Sequence, residues 1–224
     1  MINDPILNNK SLRQQVYEYL RNEMIKGKFQ PGSFLKLKEI GSNLGISVTP
    51  LREALLQLEV QGFITIYPRR GFVVNELTLE DIRYAYQIIG ALESSVVIYE
   101  KDRITPDVTD RMRKKNEDLR LLLEKRNYNE YFFLMDEFHH VLVNLSSNEG
   151  LKEILNLQKS RIYDFPPRGN FPFLGTWGEG SCAEHEHIID LLEKGEFFEA
   201  ARYLRDEHWS FAVHEDYIRH YYEP

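Results

Sequence analysis

Apolar residues recur every third or fourth position along most of this chain, the period of a helix with one buried face; one short region alone breaks into dense β-branched and aromatic runs. In "SLRQQVYEYLRNEMIKGKF", Leu12, Val16 and Leu20 repeat every four residues and Ser11 stands where an N-cap belongs, which predicts a first amphipathic helix. Pro31-Gly32 ends the segment after it. In "LKEIGSNLG", Leu37, Ile40 and Leu44 mark a short second helix, and Gly45 is placed to end it in the left-handed conformation. Thr49-Pro50 offers an N-cap followed by proline at the first helical position, and Leu51, Ala54, Leu55 and Leu58 line one face of a third helix up to Gly62. "FITIY" and "GFVVN" flank Pro68-Arg69-Arg70-Gly71 and predict a hairpin.

Beyond Glu76 the helical period continues without a strand pattern. Helices are expected from Thr78 to about Glu100, from Thr105-Pro106 to about Arg126, and over about Asn129 to Leu145, Glu149 to Asp164, Ser181 to Lys194 and Glu196 to His220. "FPPRGNFPFLGTWGEGS" is rich in proline and glycine and is expected to be a loop, either a lid or binding loop or a mobile surface excursion. The fold class expected is mostly α: an N-terminal winged helix-turn-helix with a small β-hairpin wing over 1–76, and a C-terminal all-α six-helix bundle over 77–224.

Charge changes this picture from one of folding to one of partners. The 224 residues carry a formal net charge of -7, yet up to Glu76 ten lysines and arginines face seven aspartates and glutamates, and beyond it 18 face 28. A mildly basic module suits phosphate; an acidic one suits self-association or a small ligand. In a helix-turn-helix the second helix enters the major groove by its N-terminal residues, here Ser47, Val48, Thr49 and Arg52, while Arg69 and Arg70 at the hairpin tip reach a neighbouring groove or phosphate. The partner expected is a palindromic double-stranded DNA operator, read by a homodimer. The opening "MINDPILNNK" has no signal-peptide pattern and no window is apolar enough for a membrane span, so a cytoplasmic location is expected. Cys182, the single cysteine, excludes an intrachain disulfide and a cysteine-based zinc site.

The order of these signals resembles the GntR-type winged-helix transcription regulators, on "GKFQPGSFLKLKEIGSNLGIS" and "TPLREALLQLEVQGFITIYPRRGFVV", over about residues 10 to 76. Such regulators usually carry arginine where this chain has Val48. The second half resembles the FadR C-terminal domain, the effector-binding bundle of one GntR subfamily, on "FHHVLVNLSSNEGL" and "EHEHIIDLLEKGEFFEAARYLRDEH". The resemblance implies a small-molecule effector, and it maps four metal-ligand positions onto Met135, His139, His185 and Glu207. A thioether does not replace a hard carboxylate oxygen for most divalent ions, so a zinc, nickel or manganese ion at His139, His185 and Glu207 is not expected to be held tightly, and no cofactor is certain. Neighbouring Asp136 or His208 compensates only if its helix rotates or shifts. The resemblance also places an effector-pairing arginine where this chain has Ile89, three residues after Tyr86. A pocket with Tyr86, Phe132, Phe133, Trp177 or Trp209 nearby then prefers a less charged effector. No Ser/His/Asp set, Walker loop or HExxH run is present, so an enzyme is not expected; a dimer that binds DNA without any effector is the alternative.

Overall fold

The computed structural model describes residues 11–25, 28–163 and 174–222. Among them the chain divides into two compact units, one ending at Leu77 and the other starting at Thr78. No helix among the described residues is long and apolar enough to cross a membrane.

The first unit holds α1 (Leu12–Ile25), β1 (Phe34–Leu35), α2 (Leu37–Leu44), α3 (Val48–Val60), β2 (Ile64–Tyr67) and β3 (Gly71–Val74). Ser11 accepts from the Gln14 amide and starts α1, whose Val16, Leu20 and Met24 pack with Leu51, Ala54, Leu55 and Leu58 of α3 in one buried cluster. Gly45 ends α2 at φ 64, a conformation that costs a residue with a Cβ but not glycine. α3 starts earlier than its Thr-Pro pair suggests. Its N-cap is Ser47 rather than Thr49, and Pro50 lies inside the first turn, where its missing N–H has no carbonyl to reach anyway. The strands form an antiparallel sheet in the order β1-β3-β2, with Thr65 opposite Val73 and Tyr67 opposite Gly71. The hairpin is where the β-branched runs put it; β1 is two residues long, too short to show a period of two.

The second unit is α4 (Leu79–Tyr99), α5 (Pro106–Glu124), α6 (Tyr128–Val143), α7 (Glu149–Tyr163), α8 (Leu174–Glu193), α9 (Phe197–Tyr203) and α10 (Phe211–Tyr222). Thr78 and Asp81 close a reciprocal capping box at the start of α4. Two expectations are corrected here. The described end of the Pro/Gly-rich stretch is helical, since α8 begins at Leu174 rather than near Ser181; the rest of that stretch, 165–173, lies outside the described residues. The long last helix is broken: after α9 a π-helical turn spans Leu204–His208, with the Trp209 amide bonding the Leu204 carbonyl five residues back, and α10 starts afresh at Phe211. The bundle therefore has seven α-helices among its described residues instead of six.

Candidate functional site

In the first unit the exposed residues at the head of α3 are Ser47, Val48, Thr49 and Arg52. The α2–α3 turn that presents them is tight: the Ile46 amide bonds the Gly41 carbonyl at 3.0 Å, and a Cβ on Gly41 would stand 3.1 Å from the Ile46 carbonyl oxygen. Ser47 is extended and its hydroxyl caps nothing, which leaves the first-turn amides of α3 to an outside acceptor. At the other end of the unit Tyr67, Pro68, Arg69 and Arg70 make the hairpin turn, closed by an Arg70 amide to Tyr67 carbonyl bond of 3.0 Å. Both arginines are exposed, and Arg69 sits at φ 62.

The second unit gathers three buried histidines, His139 from α6, His185 from α8 and His208 from the π turn; one ligand atom of each lies within 4.8 Å of the others. Their surroundings settle which nitrogen carries the proton. His139 Nδ1 is 3.0 Å from Glu93 Oε2, and His208 Nδ1 is 2.7 Å from Glu184 Oε2. An ionised carboxylate only accepts, so both Nδ1 atoms are protonated. His185 Nδ1 is 3.1 Å from Asn116 Oδ1, whose amide orientation is fixed because its Nδ2 donates to the Cys182 carbonyl and to Glu186. That leaves each Nε2 with a lone pair directed away from its anchor. The Nε2 atoms of His208 and His139 are 3.3 Å apart, and the buried His185 Nε2 has no hydrogen-bond partner. Phe138 stacks on His185 with ring centres 3.8 Å apart, which holds its plane.

A second buried layer supports the first. Glu93 on α4 accepts from His139 and, at 2.8 Å, from the Trp209 indole, while Lys159 on α7 reaches its other oxygen at 2.6 Å. Burial works against the Glu93 charge, and His139 with Lys159 overcomes it, so the carboxyl ionises below its ordinary range. Burial also pushes His139 down to about 4 and His185 well below its usual value, so both rings are neutral at pH 7. Neutral imidazoles with their Nδ1–H groups held by acceptors are the form in which histidine ligates a metal. The donor set fits a divalent transition ion.

Glu207 is not brought to this cluster. In an α-helix Glu207 and His208, three and four residues after the buried Leu204, would share its face; the wider turn moves that face on by one, to His208 and Trp209, and leaves Glu207 half-exposed near Arg202. A π turn supplies the helix shift that His208 requires.

Beside the histidines lies a partly open cavity, its wall including Tyr86, Met135, His139, Trp177, Glu184 and His208. Phe132 and Trp209 also line it. Phe133 does not: it is 69% exposed on the opposite face of α6. Ile89 is fully buried in the core and is not part of the wall. Tyr86 meets Trp209 edge to face at 5.3 Å, and Trp177 stacks on Tyr217 at 4.3 Å. Glu93, Asn116, Lys159 and Glu184 were not singled out in the sequence. Glu93 and Lys159 do leave a trace there, as charged residues in the inward stripes of α4 and α7; the contribution of His208 rests on a turn type that no pattern announces.

Comparison with known proteins agrees with this division. The family described as "Bacterial regulatory proteins, gntR family" matches residues 12–74, and the FCD domain matches residues 84–210. The HTH-type transcriptional repressor RspR of Escherichia coli K12 is 29% identical over 135 residues, 60% of this chain and 59% of that protein, so this chain matches about three fifths of that relative's length. The Nta operon transcriptional regulator of Aminobacter aminovorans is 31% identical over 183 residues, 79% of this chain and 81% of that one. Among solved structures, E. coli McbR/YncC has the same fold, with a TM-score of 0.72 at 22% identity over 94% of this chain and 99% of that chain. With the FCD domain matching more than half of its residues and the Nta operon regulator aligned along most of both proteins, the chain belongs to the GntR family of bacterial regulatory proteins, in the branch that carries an FCD domain.

Proposed function

We propose that this protein is a cytoplasmic, sequence-specific transcription regulator and not an enzyme, a homodimer that binds a palindromic operator through residues 1–76 and senses a small molecule through residues 77–224. The observation that carries the reading is the presence, in one chain, of an exposed arginine-bearing helix N-terminus and an aromatic-walled cavity with three convergent imidazoles. Ser47, Val48, Thr49 and Arg52 face the major groove; Arg69 and Arg70 hold phosphate or a neighbouring groove. The relative RspR is a transcriptional repressor, which supports regulation of this type.

The effector occupies the cavity lined by Tyr86, Met135, His139 and His208. His139, His185 and His208 would hold a divalent ion at its wall, and such an ion supplies a Lewis-acid position for an oxygen or nitrogen donor of the effector. The aromatic wall supplies apolar contact, and the Trp177 indole N–H, buried without a partner, supplies a donor for a ligand oxygen. The effector alters operator affinity only by binding the DNA-competent and DNA-incompetent dimers unequally, and the operator must alter effector affinity by the same factor. Selection of bound sequences from random DNA, repeated with a metabolite library, tests this reading. It expects one inverted repeat to be enriched and at least one metabolite to change its retention. Enrichment that no metabolite alters favours an effector-independent regulator, and no enrichment removes the DNA-binding reading.

A further inference from the structure

We infer that this chain has converted its metal position into an all-imidazole site, with Met135 standing where a hard oxygen ligand would be and Lys159 keeping the nearest buried carboxylate, Glu93, in an orienting role, so that it takes zinc, nickel or cobalt and discriminates strongly against manganese and magnesium.

The inference rests on the metal reading above and goes beyond it to the choice of ion. Three facts carry it. The convergent donors are three imidazole nitrogens, with no carboxylate oxygen among them. Met135 lies one helical turn before His139, is buried, and lines the same cavity, and its sulfur meets the Ser181 hydroxyl at 3.9 Å. Glu93, the buried carboxylate nearest to His139, is already bound on three sides by the His139 Nδ1–H, the Trp209 indole N–H and the Lys159 ammonium. An acid so engaged orients the imidazole from behind and does not enter the ligand set. Imidazole suits zinc, nickel and cobalt, whereas manganese and magnesium prefer carboxylate, carbonyl and water oxygens.

The test is metal titration of the full-length protein after chelator dialysis, with zinc, nickel, cobalt and manganese each added alone, on the unmodified chain and on Met135→Asp. The unmodified chain is expected to bind zinc and nickel at one ion per chain, with manganese weaker by about a hundredfold or more. The cobalt-loaded form should show the intense visible bands of a four-coordinate site made of three imidazole nitrogens and one solvent oxygen. Met135→Asp should raise manganese affinity by roughly tenfold or more and shift the cobalt bands toward higher coordination. Equal zinc and manganese affinity in the unmodified chain, or a Met135→Asp protein with unchanged manganese affinity and an unchanged cobalt spectrum, overturns the selectivity while leaving a metal site in place. No ion bound by either protein removes the metal reading itself, and leaves the effector cavity to be judged by the metabolite screen.

Discussion

The Nε2 atoms of His139 and His208 face each other at 3.3 Å, each ring held from behind by a carboxylate. Two bare lone pairs at that distance repel, so the contact calls for a cation between them, a proton or a metal ion. The pairing also decides which residue of the Glu207-His208 dipeptide belongs to the site, since the π turn points His208 inward and Glu207 outward. His208→Ala is therefore expected to lower nickel or zinc affinity by about a hundredfold or more, through the loss of one of three ligands. Glu207→Ala should leave it within about twofold. Isothermal titration of both variants checks the register, and the reverse order of effects would place the helix face one residue earlier.

Gly90 governs the same turn from the other side. A Cβ there would lie 2.9 Å from Trp209 Cβ and 3.3 Å from Arg205 Cα, so glycine is what lets α4 approach the π turn. Gly90→Ala forces backbone to move rather than a flexible side-chain end, and overpacking of this kind costs about 1–3 kcal/mol. The bundle's denaturation midpoint should fall, and zinc affinity with it, because the shift displaces His208 and Trp209 together. A variant with unchanged midpoint and unchanged zinc affinity would show that the contact is slack.

How much of this was legible in the sequence follows from how locally each feature is specified. Gly45, the Thr78–Asp81 capping box and the β-branched runs around Pro68 act within a few residues, and the elements they announce are present. Strand β1 pairs Phe34 and Leu35 with Val73 and Phe72, a long-range partnership invisible in two residues. The start of α8 is hidden because its first turns carry Gly175, Gly178 and Gly180, whose low intrinsic helix propensity is overridden by packing. A Cβ on Gly178 would come 2.5 Å from a Leu123 methyl, so that side chain would have to turn aside. His139 of α6 and His185 of α8 were legible only through the family resemblance, since spacing lets one of each close histidine pair point inward without saying which; the convergence of His208 depended on one extra residue in one helical turn.

Cys182 offers a test of burial in the bundle that needs no ligand. It is fully buried on α8, and burial pushes its thiol up to about 11. The sign follows from linkage: a thiol whose folded value is raised costs the native state nothing below the unfolded value of about 8.5, and destabilises it increasingly as pH rises from there toward the folded value. Native protein should react with a thiol reagent at pH 8 at least about a hundredfold more slowly than denatured protein, and its stability should fall between about pH 8.5 and 11. Cys182→Ser should remove that alkaline decline. Rapid labelling of the native protein at pH 8 would contradict the packing of α8 against α5.

Arg69 carries the sharpest prediction for the DNA-binding unit, because its backbone and its side chain pull in opposite directions. It occupies the third position of the Tyr67–Arg70 turn at φ 62, where a side chain costs roughly 1–2 kcal/mol and glycine is the usual occupant. A strained, exposed arginine at a hairpin tip is kept for what its guanidinium reaches. Arg69→Ala retains the strain and removes the charge; Arg69→Gly removes both. The two variants should lose the same DNA affinity, and each should flatten the dependence of log affinity on log salt by about 0.9, the release of one counterion per lost phosphate contact. They should differ in stability, with the glycine variant's N-terminal unit more stable than the alanine variant's by about 1 kcal/mol, less the entropy that glycine gains in the unfolded chain. Arg70→Ala, which does not share the left-handed backbone, should change the salt slope alone. Arg52→Ala, at the head of α3, should weaken operator binding by roughly 1–3 kcal/mol and relax discrimination between operators, since a base contact distinguishes sequences and a phosphate contact does not. Salt titrations of operator and random duplex, run side by side for the four variants, separate these outcomes. An unaltered salt slope in all three wing variants would remove the hairpin tip from the DNA interface.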